Sequence, residues 1–475
     1  MKNNSTFKVI FVIQPDTMRI RASVAEKLDV GREFRATLGL LSVAGMLRDM
    51  KDVEYKLVDC SASGNNYEKL CSEIEEFHPN LVALSALTFT LLDVLKSCQV
   101  AKAVAPEILT CVGGVHVNLY PKETLSFKEV DFIVHGEGEK AFKELILALK
   151  SGDTEQIKSI QGVGSKNEEE AFLNAPGEIV KEMDSLPFPA YELLDLNKYS
   201  HVLSKGGSSM SIQTSRGCPY LCTFCDIRKT KFRFKSPERV IEEIVELKKM
   251  GITDFFIVDD TISVHKERLK DICQLLIQNK IEISYKISAR VDNIDSELLK
   301  LLKESGCNRI SYGVESGSQE ILDTLEKGVS LEQIQKTFRE TKAAGLQAFA
   351  YMIIGTPNET KEGMKNSIEF AKNLKADYLS VSICTPYPKT ALTDRMVEAG
   401  LVPLDYWQSF VENPTPEFRV KFWNKDFTDD ELRNLQNTLL KNFYRRPTYL
   451  FAELMKVSSV SELVRKVKMG TALIR

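Results

Sequence analysis

Two blocks of this chain alternate short apolar runs with longer amphipathic ones, and that alternation limits the fold more than any other feature. In the first block, Lys8 to Ile13, Tyr55 to Asp59, Leu81 to Ala86, Ile108 to Gly113 and Asp131 to Val134 have strand length. Helical patterns such as Tyr67 to His78 and Leu91 to Val104 separate them. In the second block, Ser211 to Ser215, Asp254 to Asp259, Ile283 to Ser288, Arg309 to Gly313, Ala348 to Ile354 and Tyr378 to Cys384 are each followed by a helical pattern. Repetition of this kind predicts an α/β fold of parallel sheets covered by helices. The first block suits a Rossmann-like, flavodoxin-type sheet. Six strand-helix units in the second suit a partial (β/α)6 form of the TIM-type barrel, with functional residues at the C-terminal strand ends.

These blocks divide the 475 residues into a first domain over 1–150, a connector over 151–205, a barrel over 206–400 and a helical C-terminal domain over 401–475. Prolines 176, 187 and 189 mark the connector as surface chain. Residues 402–425 hold both tryptophans, Trp407 and Trp423, and Thr428 is a candidate N-cap for the helix that follows. A net charge of −3 carries no general nucleic-acid footprint. No apolar run reaches the ~18 residues of a membrane span, so the expected location is cytoplasmic.

Of ten cysteines, seven are scattered through apolar patterns, where a thiol behaves as a small hydrophobe. The other three, Cys218, Cys222 and Cys225, form a Cys-x3-Cys-x2-Cys loop in QTSRGCPYLCTFCDIR, directly after the first strand of the second block. Soft thiolates at loop spacing suit zinc or iron–sulfur. Structural zinc closes a tetrahedron with four protein ligands. Three cysteines instead leave one iron of a four-iron cluster open, which makes zinc the weaker of the two readings.

With Phe224 just before the last cysteine, the loop resembles that of the radical S-adenosylmethionine superfamily. The resemblance implies a 4Fe-4S cluster on Cys218, Cys222 and Cys225, S-adenosylmethionine chelated at the open iron, and an external electron donor such as flavodoxin or ferredoxin. It puts Phe224 near the adenine, Asp259 and Asp260 at the amino group, Arg290 with Glu315 and Ser316 at the ribose or carboxylate, and Gly355 beside the adenine. Those groups need acceptors and a guanidinium fork. Taken singly, each of these residues is more often a surface ion pair or a turn.

The first block is similar to the cobalamin-binding domain of one subclass of that superfamily, which includes the anaerobic magnesium-protoporphyrin ester cyclase and the hopanoid methylases. LGLLSVAGML, SALTFT, CVGGVHVNLYPKE and DFIVHGEGE carry the likeness. The implied cobalamin contacts are Ser85, Thr88, Gly113, Gly114, Gly136 and Glu137, with glycines admitting a flat ligand. Asp59 is followed by Cys60 and Ser61 instead of the Asp-x-His of classical cobalamin domains, which implies no histidine beneath the cobalt. The competing reading is a Rossmann-like domain without its cofactor.

The implied reaction is methylation of an unactivated carbon of a small molecule. A ring-forming or oxidative cyclase and a non-catalytic cobalamin-binding protein are the alternatives. Residues 441–475 set eight basic side chains against two acidic ones, among aromatics. That pattern fits either a solvated helix or peripheral contact with an anionic membrane, and the second version points to a lipid or tetrapyrrole substrate.

Overall fold

A computed structural model of the chain describes residues 6–20, 37–64, 66–166, 171–199, 209–423, 426–447 and 449–450. The membrane-binding expectation falls largely on 451–475, outside the described residues. Two compact units emerge. One gathers the first strand, Phe34–Tyr199 and Asp405–Arg419, and the other is built on Ser200–Leu404 and the chain from Val420 onward. No helix among the described residues is long and apolar enough to cross a membrane.

The first unit is built on β1 (Phe7–Ile13), β2 (Val53–Asp59), β3 (Leu81–Ser85), β4 (Leu109–Gly113) and β5 (Phe132–Val134), followed by β6 (Val163–Lys166) and β7 (Ala171–Leu173). Their order is β2-β1-β3-β4-β5-β6-β7. β1 to β5 run parallel, while β6 and β7 join antiparallel. Because β1 sends its connection one way and β3 the other, the sheet has a switch point between those two strands, where ligands of such sheets bind. Helices cover both faces. Leu38–Gly45 and Gly138–Ser151 bury Leu40, Ala44, Phe142 and Leu145 with Val9 and Phe11. Tyr67–Phe77 and Leu91–Val104 pack together on the other side. In Tyr67–Phe77, Leu70 and Ile74 fall one turn apart and are fully buried, while Asn66 accepts from the Glu68 and Lys69 N–H groups to start the helix. Each buried aliphatic side chain contributes about 1.5–3 kcal/mol.

The connector is more than surface chain: β6 and β7 extend the first sheet, because an antiparallel hairpin can pair with the free edge of β5. Further on, Ala190 N–H donates to Leu41 O, and Arg48 reaches Glu192 and Phe188 O. Gly45 permits this approach, since a Cβ there would lie 2.6 Å from Phe188 O. The proposed C-terminal domain also divides. Helix Tyr406–Glu412 belongs to the first unit, where Trp407 meets Phe89 edge-on. Helix Asp429–Tyr444 belongs to the second, opened by Thr428 and Glu431 in a capping box as its sequence suggests.

In the second unit, β8 (Ser209–Ile212) is followed by a short antiparallel pair, β9 (Ser215–Arg216) and β10 (Arg233–Phe234), and then by β11 (Asp254–Ile257), β12 (Ser284–Ala289), β13 (Cys307–Glu315), β14 (Gln347–Ile354) and β15 (Tyr378–Ile383). The main sheet is six-stranded and parallel throughout, in the order β15-β14-β13-β12-β11-β8. Sequential order with right-handed crossovers puts the connecting helices of the described residues on one face and leaves the other without one of them. Tyr285 and Tyr312 belong to the covered face: their hydroxyls meet Ser305 and Thr341 beneath the helices.

Candidate active site

The cysteine loop is held shut before any metal is considered. β9 and β10 clasp its neck, pairing Arg216 with Arg233 and Ser215 with Phe234. Inside the clasp, Cys218 N–H donates to Thr230 Oγ1 (2.8 Å), Thr230 N–H returns to Cys218 O (2.9 Å), and Lys229 N–H donates to Tyr220 O (2.9 Å). Gly217 has φ +89°, and a Cβ there would sit 2.3 Å from Lys231 O, so this turn requires glycine. Thr223 N–H ties the far side of the loop to Leu325 O. Cys218 and Cys222 are buried, while Cys225 and Phe224 are half-buried.

These thiols fit an iron–sulfur cluster. Burial pushes the Cys222 thiol up, and the Lys327 and Arg290 cations work against that rise, favouring thiolate. Arg290 Nη1 lies 3.9 Å from Cys222 Sγ, and Thr261 Oγ1 lies 3.8 Å from Cys218 Sγ. Burial raises Cys225 to about 12, with a backbone hydrogen bond from Ile227 opposing it. Buried thiols of this kind become ligands by losing their protons to a metal. Among the described residues no three potential ligands converge on one point for a single ion. A four-iron cluster gives each thiolate its own iron and does not ask for such convergence.

Asp259 and Asp260 do not stand free at their strand end. The buried Asp259 carboxylate accepts from Thr214 N–H (2.6 Å), Thr214 Oγ1 (2.5 Å) and Ser215 Oγ (2.6 Å), and Asp260 accepts from Gly217 N–H (2.7 Å). Together they brace the entrance of the cysteine loop. The resemblance put them at the amino group of S-adenosylmethionine, and a strand-end Asp-Asp shows in sequence its position and not these partners.

Arg290 is likewise engaged. It forks onto Asp292 (3.0 and 2.9 Å), donates to Lys327 O (2.7 Å) and lies 3.8 Å from the Tyr220 ring centre. Glu315 sits at φ +63°, where a register shift between β13 and β14 turns it toward Lys327 Nζ at 2.6 Å. Both partners are buried. Gly313 makes room: a Cβ there would fall 2.3 Å from Glu315 Oε1 and 2.6 Å from Lys327 Nζ. Lys327 escaped the sequence reading because a lysine before glycine at a helix end usually faces solvent.

Ser316 Oγ meets Ser367 Oγ at 3.2 Å. Gly355 has φ +72°, and its N–H donates to Glu359 Oε2 at 2.6 Å. Glu359 was also missed. It is 2% exposed, Oε1 has no partner among the described residues, and burial lifts its carboxyl to about 7.

At the strand ends of the first sheet, the loops after β3 and β4 interlock. Thr88 Oγ1 meets His116 Nδ1 at 3.0 Å, and His116 N–H donates to Ala86 O. His116 is fully buried, its Nε2 has no partner, and burial holds it neutral by lowering it to about 4. Beside it, Leu87 and Val115 are each 45% exposed. Gly114, at φ +97°, passes so close to Ser85 that a Cβ would lie 2.6 Å from its Oγ, and a Cβ on Gly113 would lie 3.3 Å from Val134 O. Exposed apolar side chains around hydroxyls and an orphaned imidazole nitrogen suit a large, mostly neutral ring system such as cobalamin. Gly136 and Glu137, the other implied cobalamin contacts, are engaged by the connector. Gly136 passes under Gly177, and Glu137 accepts from Val180 N–H (2.6 Å), so they dock the connector. Asp93 is the residue sequence reasoning overlooked here. Fully buried on helix Leu91–Val104, it accepts from Thr17 N–H and Oγ1, Met18 N–H and Tyr67 Oη, fixing the loop after β1. A cavity of about 400 Å³ near Asp59, Lys69 and Lys198 opens at the edge strand β2, where Tyr199 Oη donates to Asp59.

The family model for the radical SAM superfamily matches residues 212–371, and that for the B12 binding domain matches 34–146. An uncharacterized methyltransferase of Pyrococcus horikoshii is 31% identical over 456 residues, covering 94% of this chain and 95% of that protein. The anaerobic magnesium-protoporphyrin IX monomethyl ester cyclase of Cereibacter sphaeroides is 26% identical over 74% of this chain and 58% of its own length. Among solved structures, the radical S-adenosylmethionine methyltransferase TsrM of Kitasatospora setae, with cobalamin and its 4Fe-4S cluster bound, superposes with a TM-score of 0.71 at 16% identity, covering 94% of this chain and 90% of that one. The family's cofactors are a 4Fe-4S cluster, S-adenosylmethionine and cobalamin. An N-terminal cobalamin-type sheet, a clasped three-cysteine loop on a second parallel sheet, and relatives matched along nearly the whole chain lead to one assignment: this protein belongs to the cobalamin-binding radical S-adenosylmethionine enzymes.

Proposed function

We propose that this enzyme methylates an unactivated carbon of a small molecule, with the second sheet acting as a partial barrel around the reacting groups. When bound, the cluster and S-adenosylmethionine supply a 5'-deoxyadenosyl radical and cobalamin supplies the methyl group. The chain's own part is to hold and orient. Cys218, Cys222 and Cys225 ligate the cluster, and Asp259 and Asp260 keep their loop in shape. Arg290 favours thiolate at Cys222 and, with Glu315 and Lys327, forms a charged rim for the amino-acid and ribose groups of S-adenosylmethionine. Gly355 and Phe224 flank the adenine. Thr88, Gly113 and Gly114 would shape the cobalamin face, and an external flavodoxin- or ferredoxin-type donor would supply the electron. The observation that carries this reading is the closed cysteine loop with a guanidinium 3.9 Å from one of its buried thiols.

Anaerobic turnover with methyl-labelled S-adenosylmethionine tests it. Both S-adenosylhomocysteine and 5'-deoxyadenosine should form, with label in the product. The likeness to the magnesium-protoporphyrin ester cyclase favours a second reading, an oxidative ring closure. That reading gives 5'-deoxyadenosine without S-adenosylhomocysteine.

A further inference from the structure

The two faces of the second sheet differ in chemistry, and the difference points to a class of substrate. Side chains alternate along a strand. Ile310, Tyr312 and Val314 are fully buried, and Tyr312 meets Thr341 on a covering helix, so Arg309 and Ser311 take the helix-free face. On β14, Ala348, Ala350 and Met352 are buried, so Phe349 and Tyr351 share that free face. By the same alternation β15 turns Ser380 and Ser382 to it. The interior of a closed barrel is ordinarily filled by branched aliphatic residues. Here small hydroxyls and aromatics stand in their place, and Tyr351, in the middle of a central strand, is 40% exposed.

From Tyr351 a run of rings leads inward. Tyr351 and Phe349 have centroids 4.7 Å apart, and Phe349 stacks on Tyr378 at 6.0 Å. It ends at Arg309, whose guanidinium carbon lies 5.7 Å from both the Phe349 and the Tyr378 rings. Arg309 is 5% exposed, its Nε has no partner, and among the described residues no acceptor takes a hydrogen bond from its side chain. Its neighbour in register is Lys286, which is paired with Asp254 at 3.1 Å. A buried guanidinium is costly unless something supplies acceptors, and two aromatic faces offset only part of that cost. Its planar fork is shaped for an oxyanion.

We propose that the substrate is a flat, ring-containing molecule bearing a carboxylate or phosphate, its ring lying on Tyr351 and Phe349 and its oxyanion on Arg309. This rests on the reading of the second sheet as the reaction chamber and adds the substrate's chemistry to it. A purely lipid-like substrate would leave Arg309 without an acceptor.

The test is calorimetric titration of the full-length, reconstituted protein with benzoate, phenyl phosphate and the uncharged benzyl alcohol. One or both anions should bind at least about tenfold more tightly than the alcohol, and the tighter of the two tells carboxylate from phosphate. Arg309→Met should erase that preference, and Arg309→Lys should keep part of it. Tyr351→Ala, at an exposed position that does not threaten folding, should weaken all three ligands together. Equal binding of anion and alcohol by the wild type, or anion binding that survives in R309M, overturns the proposal. So does an absence of binding by folded protein up to tens of millimolar ligand. Iron content and S-adenosylmethionine cleavage by the same wild-type preparation separate the two ideas. Protein that carries iron and cleaves S-adenosylmethionine but shows no anion preference leaves the enzyme reading standing and removes this one. Anion binding that depends on Arg309 in protein unable to assemble a cluster does the reverse.

Discussion

Beyond β3 and β4 of the first sheet, the groups at the strand ends are uncharged: Thr88, a neutral His116, Gly113 and Gly114, with Leu87 and Val115 exposed beside them. Beyond β11 to β13 of the second sheet they are ionic and largely buried: Asp259, Arg290 forked onto the more exposed Asp292, and the Glu315–Lys327 pair. The strands concerned run parallel in both sheets and offer the same backbone geometry at their C-terminal edges. What separates them is which side chains the strand-end loops carry. A neutral, apolar rim suits a large macrocycle bound by surface area, whereas a charged rim suits a zwitterion bound by fixed hydrogen bonds. On the proposed reading one architecture serves two kinds of ligand, and the two rims should be separable by mutation.

The largest effect should come from the cysteines. Cys218→Ala, Cys222→Ala or Cys225→Ala should take reconstituted iron from about four per chain to almost none, while hydroxocobalamin binding by equilibrium dialysis persists. Loss of cobalamin binding in these variants would break the separation of the rims.

Next comes pH, to which the two units respond with opposite sign. Burial lifts Glu359 from 4.5 to about 7, so its contribution to stability is complete below pH 4.5 and is lost as pH rises toward 7. Burial lowers His116 from 6.5 to about 4, so its contribution is complete above pH 6.5 and is lost as pH falls toward 4. Each amounts to on the order of 3 kcal/mol. Urea titrations across pH 4.5–7 should show Glu359→Gln flattening the loss on the alkaline side and His116→Gln the loss on the acid side.

A smaller effect is expected from Gly114→Ala. A left-handed φ of +97° and contacts of 2.6–2.9 Å for the new Cβ should cost about 1–3 kcal/mol and weaken cobalamin binding without changing iron content. Lys361→Ala, which removes an exposed pair with Glu431 at 3.3 Å, should change the free energy of urea unfolding by less than about 0.5 kcal/mol and serves as the reference for a surface change.

Both sheets were legible in the sequence because buried parallel strands read as short apolar runs between amphipathic helices, and every predicted strand of the two blocks overlaps an observed one. The connector was less so. Ala171–Leu173 is a three-residue edge strand with one exposed side chain, too short to show a period. At the candidate site the cysteine spacing was informative because it is local. The buried polar contacts were not: the Lys327–Glu315 ion pair and the hydrogen bonds from Thr214 and Ser215 to Asp259 join residues 12 to 45 positions apart. Hence Asp259 and Asp260, read from sequence as cofactor acceptors, have their hydrogen bonds inside the protein.

The clasp formed by β9 and β10 has a consequence for the life of the protein. Because the neck, the Gly217 turn and the Cys218–Thr230 exchange close the loop by protein–protein hydrogen bonds, much of the ordering entropy that a metal would otherwise have to supply is already met by the polypeptide. The loop is a socket more than a staple. A chain stripped of iron by oxygen should therefore stay folded, with a thermal midpoint close to that of the loaded enzyme, and be refilled in place without passing through the unfolded state.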